Sequence, residues 1–170
     1  MDILKKNYFE TFGLPIAVDI DHSRLEQQFT NLQKQFHPDK YNSSSEHEKR
    51  LALQVSSYLN DGYVVLSDTI TRIEYILKIN NYTYDESKTF SDNDFMLEQI
   101  SLNEEIESVH TNDRDKIKLL NDNIISKMNN MLSNIEKFLS SNDYEDVWIN
   151  LAKYKFYYNH YLELERIREL

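Results

Sequence analysis

Apolar residues recur at helical spacing along most of this 170-residue chain, and no stretch alternates with the two-residue period of a half-buried strand. Tyr8-Phe9-Glu10-Thr11-Phe12 is a short aromatic segment halted by Gly13 and Pro15. Leu25, Phe29, Leu32 and Phe36 then advance by 4, 3 and 4, which is one apolar stripe of an amphipathic helix. Asp21 is a good N-cap for that helix, with Ser23-Arg24-Leu25-Glu26 as a competing capping box. Pro38 lacks an N–H and clashes with a continuing helix, so the helix must stop near Phe36. After the polar run Asn42-Ser43-Ser44-Ser45, a Ser45-x-x-Glu48 capping box opens a helix with Ala52, Val55, Leu59, Tyr63 and Leu66 facing inward. Gly62 inside it should cost about 1 kcal/mol relative to Ala. Ile70, Ile73 and Leu77 mark a short fourth helix capped by Ser67 or Asp68.

Residues 79–91 carry no helical period and read as a connection. Three further helices follow, bounded by Asp92 or Asp94, by Thr111-Asn112-Asp113 and by Ser140-Ser141-Asn142-Asp143. In the middle one, Ile117, Leu120, Ile124, Met128, Met131, Ile135 and Phe138 make a heptad-like seam. In the first, at roughly 100° per residue, Leu102, Ile106 and Val109 fall within about 40° of Phe95 as a core face. Met96, Ile100 and Leu97 fall at about 100°, 140° and 200°, with Glu104 among them at about 180°. In the last helix Val147, Leu151, Tyr154, Tyr158 and Tyr161 share one side, while Phe156 lies about 180° away, flanked by Ile149 and Ala152. One helix of a bundle with two apolar faces could be sandwiched; two such helices in three point to an exposed apolar patch.

The expected fold is therefore all-α: an N-terminal helical hairpin unit over residues 1–78, a connection over 79–91 and a three-helix bundle over 92–170. Only two glycines and two prolines occur, which agrees with long helices and short polar connections. No apolar run approaches the ~18 residues of a membrane span. The absence of cysteine excludes disulfides, thiolate catalysis, zinc fingers and cysteine-held iron–sulfur clusters within the chain. Residues 1–79 hold 9 Lys and Arg against 11 Asp and Glu, whereas residues 80–170 hold 10 against 18. Nucleic acid and anionic membrane are therefore poor partners for the second half, and a basic protein surface suits it better.

His37-Pro38-Asp39 is the one short motif with chemistry to offer. On its own it reads as a helix-ending turn with an exposed His and an Asx-type cap, or as a contact for a partner. An acid–base dyad is the weakest reading, because no nucleophile, metal cluster or second carboxylate accompanies the pair in sequence. His22, His47, His110 and His160 have no ligand-like spacing and are expected at the surface; no catalytic residue, metal or cofactor is expected.

The run Lys34-Gln35-Phe36-His37-Pro38-Asp39-Lys40 resembles the loop of J-domain co-chaperones, and the helix order around it is the J-domain order. Asn7-Tyr8-Phe9-Glu10-Thr11-Phe12-Gly13-Leu14-Pro15, Leu32 to Tyr41 and Arg72-Ile73-Glu74-Tyr75-Ile76-Leu77 are more narrowly similar to the HscB family. Phe95 to Ile106 extends that resemblance into the second half. The resemblance implies a two-domain, L-shaped co-chaperone of iron–sulfur cluster assembly without enzymatic activity of its own; the oligomeric state stays open, with a monomer favoured. It would stimulate the ATPase of a DnaK/HscA-class chaperone through His37, Pro38 and Asp39, with Lys34, Lys40 and Arg24 as a basic face. It would hold an IscU-type iron–sulfur scaffold protein through Met96, Leu97, Ile100, Glu104 and Phe156. Arg72 and Tyr75 would be structural. The implied compartment is the bacterial cytoplasm, or the mitochondrial matrix for a processed eukaryotic form. A general J-protein that delivers unfolded clients is the milder alternative.

Overall fold

The computed structural model describes residues 2–41, 43–83 and 92–169, and all regular structure among them is helical. Two compact units divide the chain, Met1–Tyr82 and Thr83–Leu170. In the first, helix α1 (Tyr8–Phe12) survives at five residues because both its ends are closed. The Asn7 side chain accepts from the Glu10 N–H at 2.9 Å while the Asn7 N–H donates to the Glu10 carboxylate at 3.0 Å. Gly13, at φ +63°, ends the helix in the left-handed conformation that glycine adopts at no steric cost.

Helix α2 (His22–Phe36) takes its cap from Asp21 rather than from the competing Ser23 box. It ends where Pro38 requires, and Pro38–Tyr41 forms a single 3-10 turn. Helix α3 (Glu46–Ser67) starts on the Ser45–Glu48 capping box, and α4 (Thr69–Ile79) on Asp68. The expected connection begins one residue later than its pattern suggested, since Ile79 still belongs to α4; residues 84–91 of it lie outside the described residues. Between α2 and α3, Gln33 donates to Asn60 at 2.6 Å and Phe29 stacks on Tyr63 at 4.3 Å. Arg72 is buried, donating to the carbonyls of Val18 and Leu66 and to the Thr69 hydroxyl at 3.2 Å.

The second unit comprises α5 (Asn93–Glu107), α6 (Arg114–Ser140) and α7 (Tyr144–Glu169). Phe95, Leu102, Ile106 and Val109 are buried, as the core face of the first pattern requires. Helix α7 packs along α6 and also against α5, which explains its broad apolar girth. The expected core side of α7 is corrected in one respect. Tyr157 is buried, joining Ile124 and Leu164 in the core, whereas Tyr158 and Tyr161 are only half-buried and stack in a row with Tyr154. A helix flanked on two sides buries a wider arc than a single stripe. His160, expected at the surface, is half-buried, and that burial lowers its pKa.

Gly62 has a reason that helix propensity does not contain. A Cβ there would lie 2.7 Å from Tyr8 Cδ1 and 3.0 Å from Phe12 Cε2, so the missing side chain is what lets α1 seat its rings on α3. Propensity favours Gly62→Ala by about 1 kcal/mol, while overpacking of this kind costs about 1–3 kcal/mol. The steric term should win. Gly62→Ala is expected to lower the melting temperature; a variant that melts higher than the parent would show that the ring contact is loose.

Candidate functional site

Two surfaces carry candidate chemistry, one on each unit. On the first, the backbone turns sharply at His37, which is extended (φ −61°, ψ 128°) before the Pro38–Tyr41 turn. The turn closes on itself: Lys40 N–H donates to the His37 carbonyl at 3.0 Å and Asp39 N–H to His37 Nδ1 at 3.3 Å. The Asp39 carboxylate lies 3.5 Å from the same nitrogen. His37 and Asp39 nevertheless leave 52% and 80% of their side-chain surface in solvent. Water competes for both groups at that exposure, so the geometry is that of an exposed polar turn rather than an enclosed acid–base pair.

Beside this turn is an open depression of ≈ 530 Å³ lined by Phe29, Thr30, Gln33, Lys34, His37 and Lys40. The structure thus brings Lys34, His37 and Lys40 onto one surface, with Asp39 next to them in the turn. It does not bring Arg24 there. Arg24 sits ten residues before Lys34, about 15 Å along the helix, beside the Gly13 turn. Phe29, Thr30 and Gln33 were missed as surface residues, although Phe29, Gln33 and His37 follow one another at intervals of four, the signal of a shared helix face.

On the second unit, Met96, Leu97, Ile100 and Phe156 are 37%, 65%, 55% and 38% exposed. Phe156 meets the buried Phe95 edge-to-face at 5.6 Å, which sets it against the first turn of α5, from which Met96 and Leu97 also project. Ile100 and exposed Glu104 continue that helix toward its end. The Asp92 carboxylate caps α5 by accepting from Phe95 N–H at 3.0 Å and also takes Lys153 of α7 at 2.6 Å. Lys153 Nζ in turn stands 5.2 Å from the Phe95 ring centroid. Further along, Tyr157 donates to Glu98 at 3.1 Å, and Lys127 of α6 pairs with the same carboxylate. Burial, then the Glu98 charge, pushes the Tyr157 phenol up to about 12. Nothing in the single-sequence pattern marked Lys153, Lys127 or Glu98, because pairing across three helices has no local period.

A co-chaperone protein HscB homolog from Vibrio vulnificus is 37% identical over 166 residues, 96% of this chain and 97% of that protein. The chain belongs to the HscB co-chaperone family. The family model described as the HSCB C-terminal oligomerisation domain matches residues 91–165. The solved structure of the chaperone HscB from Vibrio cholerae is 31% identical, with a TM-score of 0.85 over 96% of this chain and 98% of that one. The human co-chaperone protein HscB, at 22% identity, shares the fold with a TM-score of 0.83, over 95% of this chain and 81% of its own. The all-α class and the family resemblance both hold in this HscB-family chain.

The Asp92 contacts give a pH signature. Its hydrogen bond from Lys153, then that from Phe95 N–H, hold its carboxyl below the usual range. A depressed carboxyl contributes stability above its unfolded pKa, near 3.9, and loses it as pH falls through the folded value. Carboxyl-carbon NMR should therefore show Asp92 titrating below ordinary aspartates. Lys153→Met should move that midpoint upward, and an unmoved midpoint would mean the ion pair does not persist in solution.

Proposed function

We propose that this HscB-family chain is a J-domain co-chaperone of iron–sulfur cluster assembly, acting in the bacterial cytoplasm as a two-site adaptor. Its first unit engages a DnaK/HscA-class chaperone, and its second holds an IscU-type scaffold protein. The observation that carries this reading is the His37-Pro38-Asp39 turn, self-braced at the end of α2 yet more than half exposed beside Lys34 and Lys40. The basic side chains steer an acidic chaperone surface to the turn, an attraction that weakens with salt. Arg24, at the far end of α2, contributes to the field of that face rather than to the turn itself. The chain performs no bond chemistry in this reading. It binds one chaperone conformation better than another and so shifts the population toward ATP hydrolysis.

His37→Gln and Asp39→Asn should each abolish stimulation of the chaperone ATPase while leaving helix content and melting essentially unchanged, since both side chains are exposed. Stimulation equal to the parent in both variants would sink the assignment of the turn.

The scaffold site is the apolar patch of Met96, Leu97, Ile100 and Phe156, with Glu104 at its rim. A small apolar cluster around one aromatic can dominate an interface, each anchor being worth about 1–2 kcal/mol or more on truncation. Replacing Leu97, Ile100 and Phe156 together by Ala should weaken scaffold binding at least about tenfold. Stimulation by the chain alone should survive, because the turn belongs to the other unit. Exposed side chains cost little when truncated, so the melting temperature should move far less than the several kcal/mol of a core triple deletion would require. Retained binding by the variant would refute the patch. Binding of denatured model substrates in place of folded scaffold would favour a general J-protein instead.

A further inference from the structure

Helices α5 and α7 run side by side in step. Asp92 meets Lys153 and Phe95 meets Phe156, and both pairs lie 61 residues apart. One turn further, the same step sets His160 of α7 opposite Gln99 of α5. Four residues after Phe156, His160 also shares that ring's face of α7, with Cβ atoms about 5–6 Å apart. Its ring is half-buried, yet neither nitrogen has a hydrogen-bond partner among the described residues, and neither is sealed from solvent. The charged groups around it are mostly committed elsewhere. Lys153 is held by Asp92, Glu98 by Tyr157 and by Lys127 of α6, and Glu107 accepts from the Asn103 amide at 2.7 Å. Glu104 is exposed one turn beyond Ile100. The Glu163 charge favours the imidazolium, but burial outweighs it and lowers the pKa of the ring. At neutral pH the ring is therefore uncharged, with one nitrogen free to accept a hydrogen bond.

A standard protein interface buries about 800 Å² on each side, more than four partly exposed side chains and one carboxylate supply. A scaffold seated on Met96, Leu97, Ile100 and Phe156 must cover neighbouring groups as well, and His160 is next in line after Phe156. Covering its free nitrogen without supplying a partner would leave a buried acceptor unsatisfied. We infer that His160 is a further scaffold-binding residue, whose neutral imidazole accepts a hydrogen bond from a donor on the scaffold beside the Phe156 ring. The inference rests on the apolar patch being the scaffold site. The acidic second unit suits a basic, donor-rich partner surface, which agrees with an acceptor here. Protonation would remove that acceptor and set a cation against those donors. Closure of the partner over the ring opposes protonation again, by desolvation. Binding therefore lowers the imidazole pKa below its value in the free chain. By linkage, affinity is unaffected above the free-chain value and falls as pH drops through it.

The test follows the His160 ring proton of the full chain by NMR across the range of imidazole titration, free and at saturating recombinant IscU-type scaffold. The midpoint should lie below the ordinary value, near 6.5, in the free chain and move down by about one unit in the complex. One unit corresponds to an affinity loss approaching tenfold at acid pH. Groups on the scaffold titrate too, so the pH profile of binding is set against that of His160→Gln, whose amide oxygen keeps an acceptor but takes no proton. That variant should bind like the parent at neutral pH and lose the added acid sensitivity. His160→Lys, a cation at the same place, should bind about tenfold or more weakly at neutral pH. Melting curves verify folding of both variants, and the midpoint shift of the parent needs neither. An unmoved midpoint in a complex that the Leu97, Ile100 and Phe156 triple variant weakens would overturn this inference and leave the patch standing. Undiminished binding by His160→Lys, or a His160→Gln profile identical to the parent's, would do the same. Absence of scaffold binding, or its retention by the triple variant, would overturn the patch and this inference together.

Discussion

The N-terminal unit depends on the buried guanidinium of Arg72. Burying that charge is costly unless its donors are all occupied, and here they reach the carbonyl of Val18, the carbonyl of Leu66 and the hydroxyl of Thr69. Those three acceptors belong to three different pieces of chain: the loop before α2, the end of α3 and the start of α4. The side chain therefore fixes where α2 begins relative to where α3 ends. Because α2 is a rigid rod of fifteen residues, fixing its start also fixes its far end, where His37 and Asp39 stand. The His37-Pro38-Asp39 turn, proposed above as the chaperone contact, is placed by a contact at the opposite end of its helix.

Aromatic packing supplies the second brace. Tyr75 accepts the Tyr8 N–H at 3.0 Å and its ring stacks on that of Tyr8 at 4.5 Å, so α4 holds α1 by a ring face and a hydrogen bond together. Burial raises the pKa of both phenols, which keeps them neutral donors and acceptors across the ordinary pH range. Gly62 is the third party to this arrangement. A residue that weakens α3 as an isolated helix strengthens the unit, because the space it vacates is filled by Tyr8 and Phe12.

How much of this was legible in the sequence follows from the range of each interaction. Pro38, the Ser45–Glu48 box and Asp68 act within four residues, and they set helix ends where local reasoning puts them. The exposure of Leu97 and Ile100 was also legible, because the buried Phe95, Leu102 and Ile106 share one face of α5 and its opposite face follows from a single angle count. Helix α7 was harder. With α5 and α6 on different sides its buried arc widens, and a count from Val147 places Tyr158 in the core while leaving Tyr157 out. The steric role of Gly62, the Arg72 bond to Val18 and the Lys153–Asp92 pair span 50 residues or more and have no signature in spacing. The separation of Arg24 from Lys34 is a different case. Ten residues of helix were visible in the sequence, and only the shared sign of the two charges suggested one face.

The attachment of α5 bears on why an apolar patch can remain exposed there. Its buried side chains Phe95, Leu102 and Ile106 anchor it from one side, while Asp92 with Lys153 and Glu98 with Lys127 and Tyr157 tie it at two further points. Each polar tie is oriented by geometry as well as charge: Asp92 is also the helix cap, and Glu98 accepts a phenol and an ammonium at once. A helix held only by apolar contacts could roll to bury Leu97 and Ile100 at the expense of other side chains, since hydrophobic burial has no preferred direction. Directional bonds at both the cap and the second turn oppose that roll. They keep Met96, Leu97 and Ile100 facing outward with Phe156 alongside, so the surface proposed for the scaffold has its arrangement set before any contact, and binding there would lose little ordering entropy.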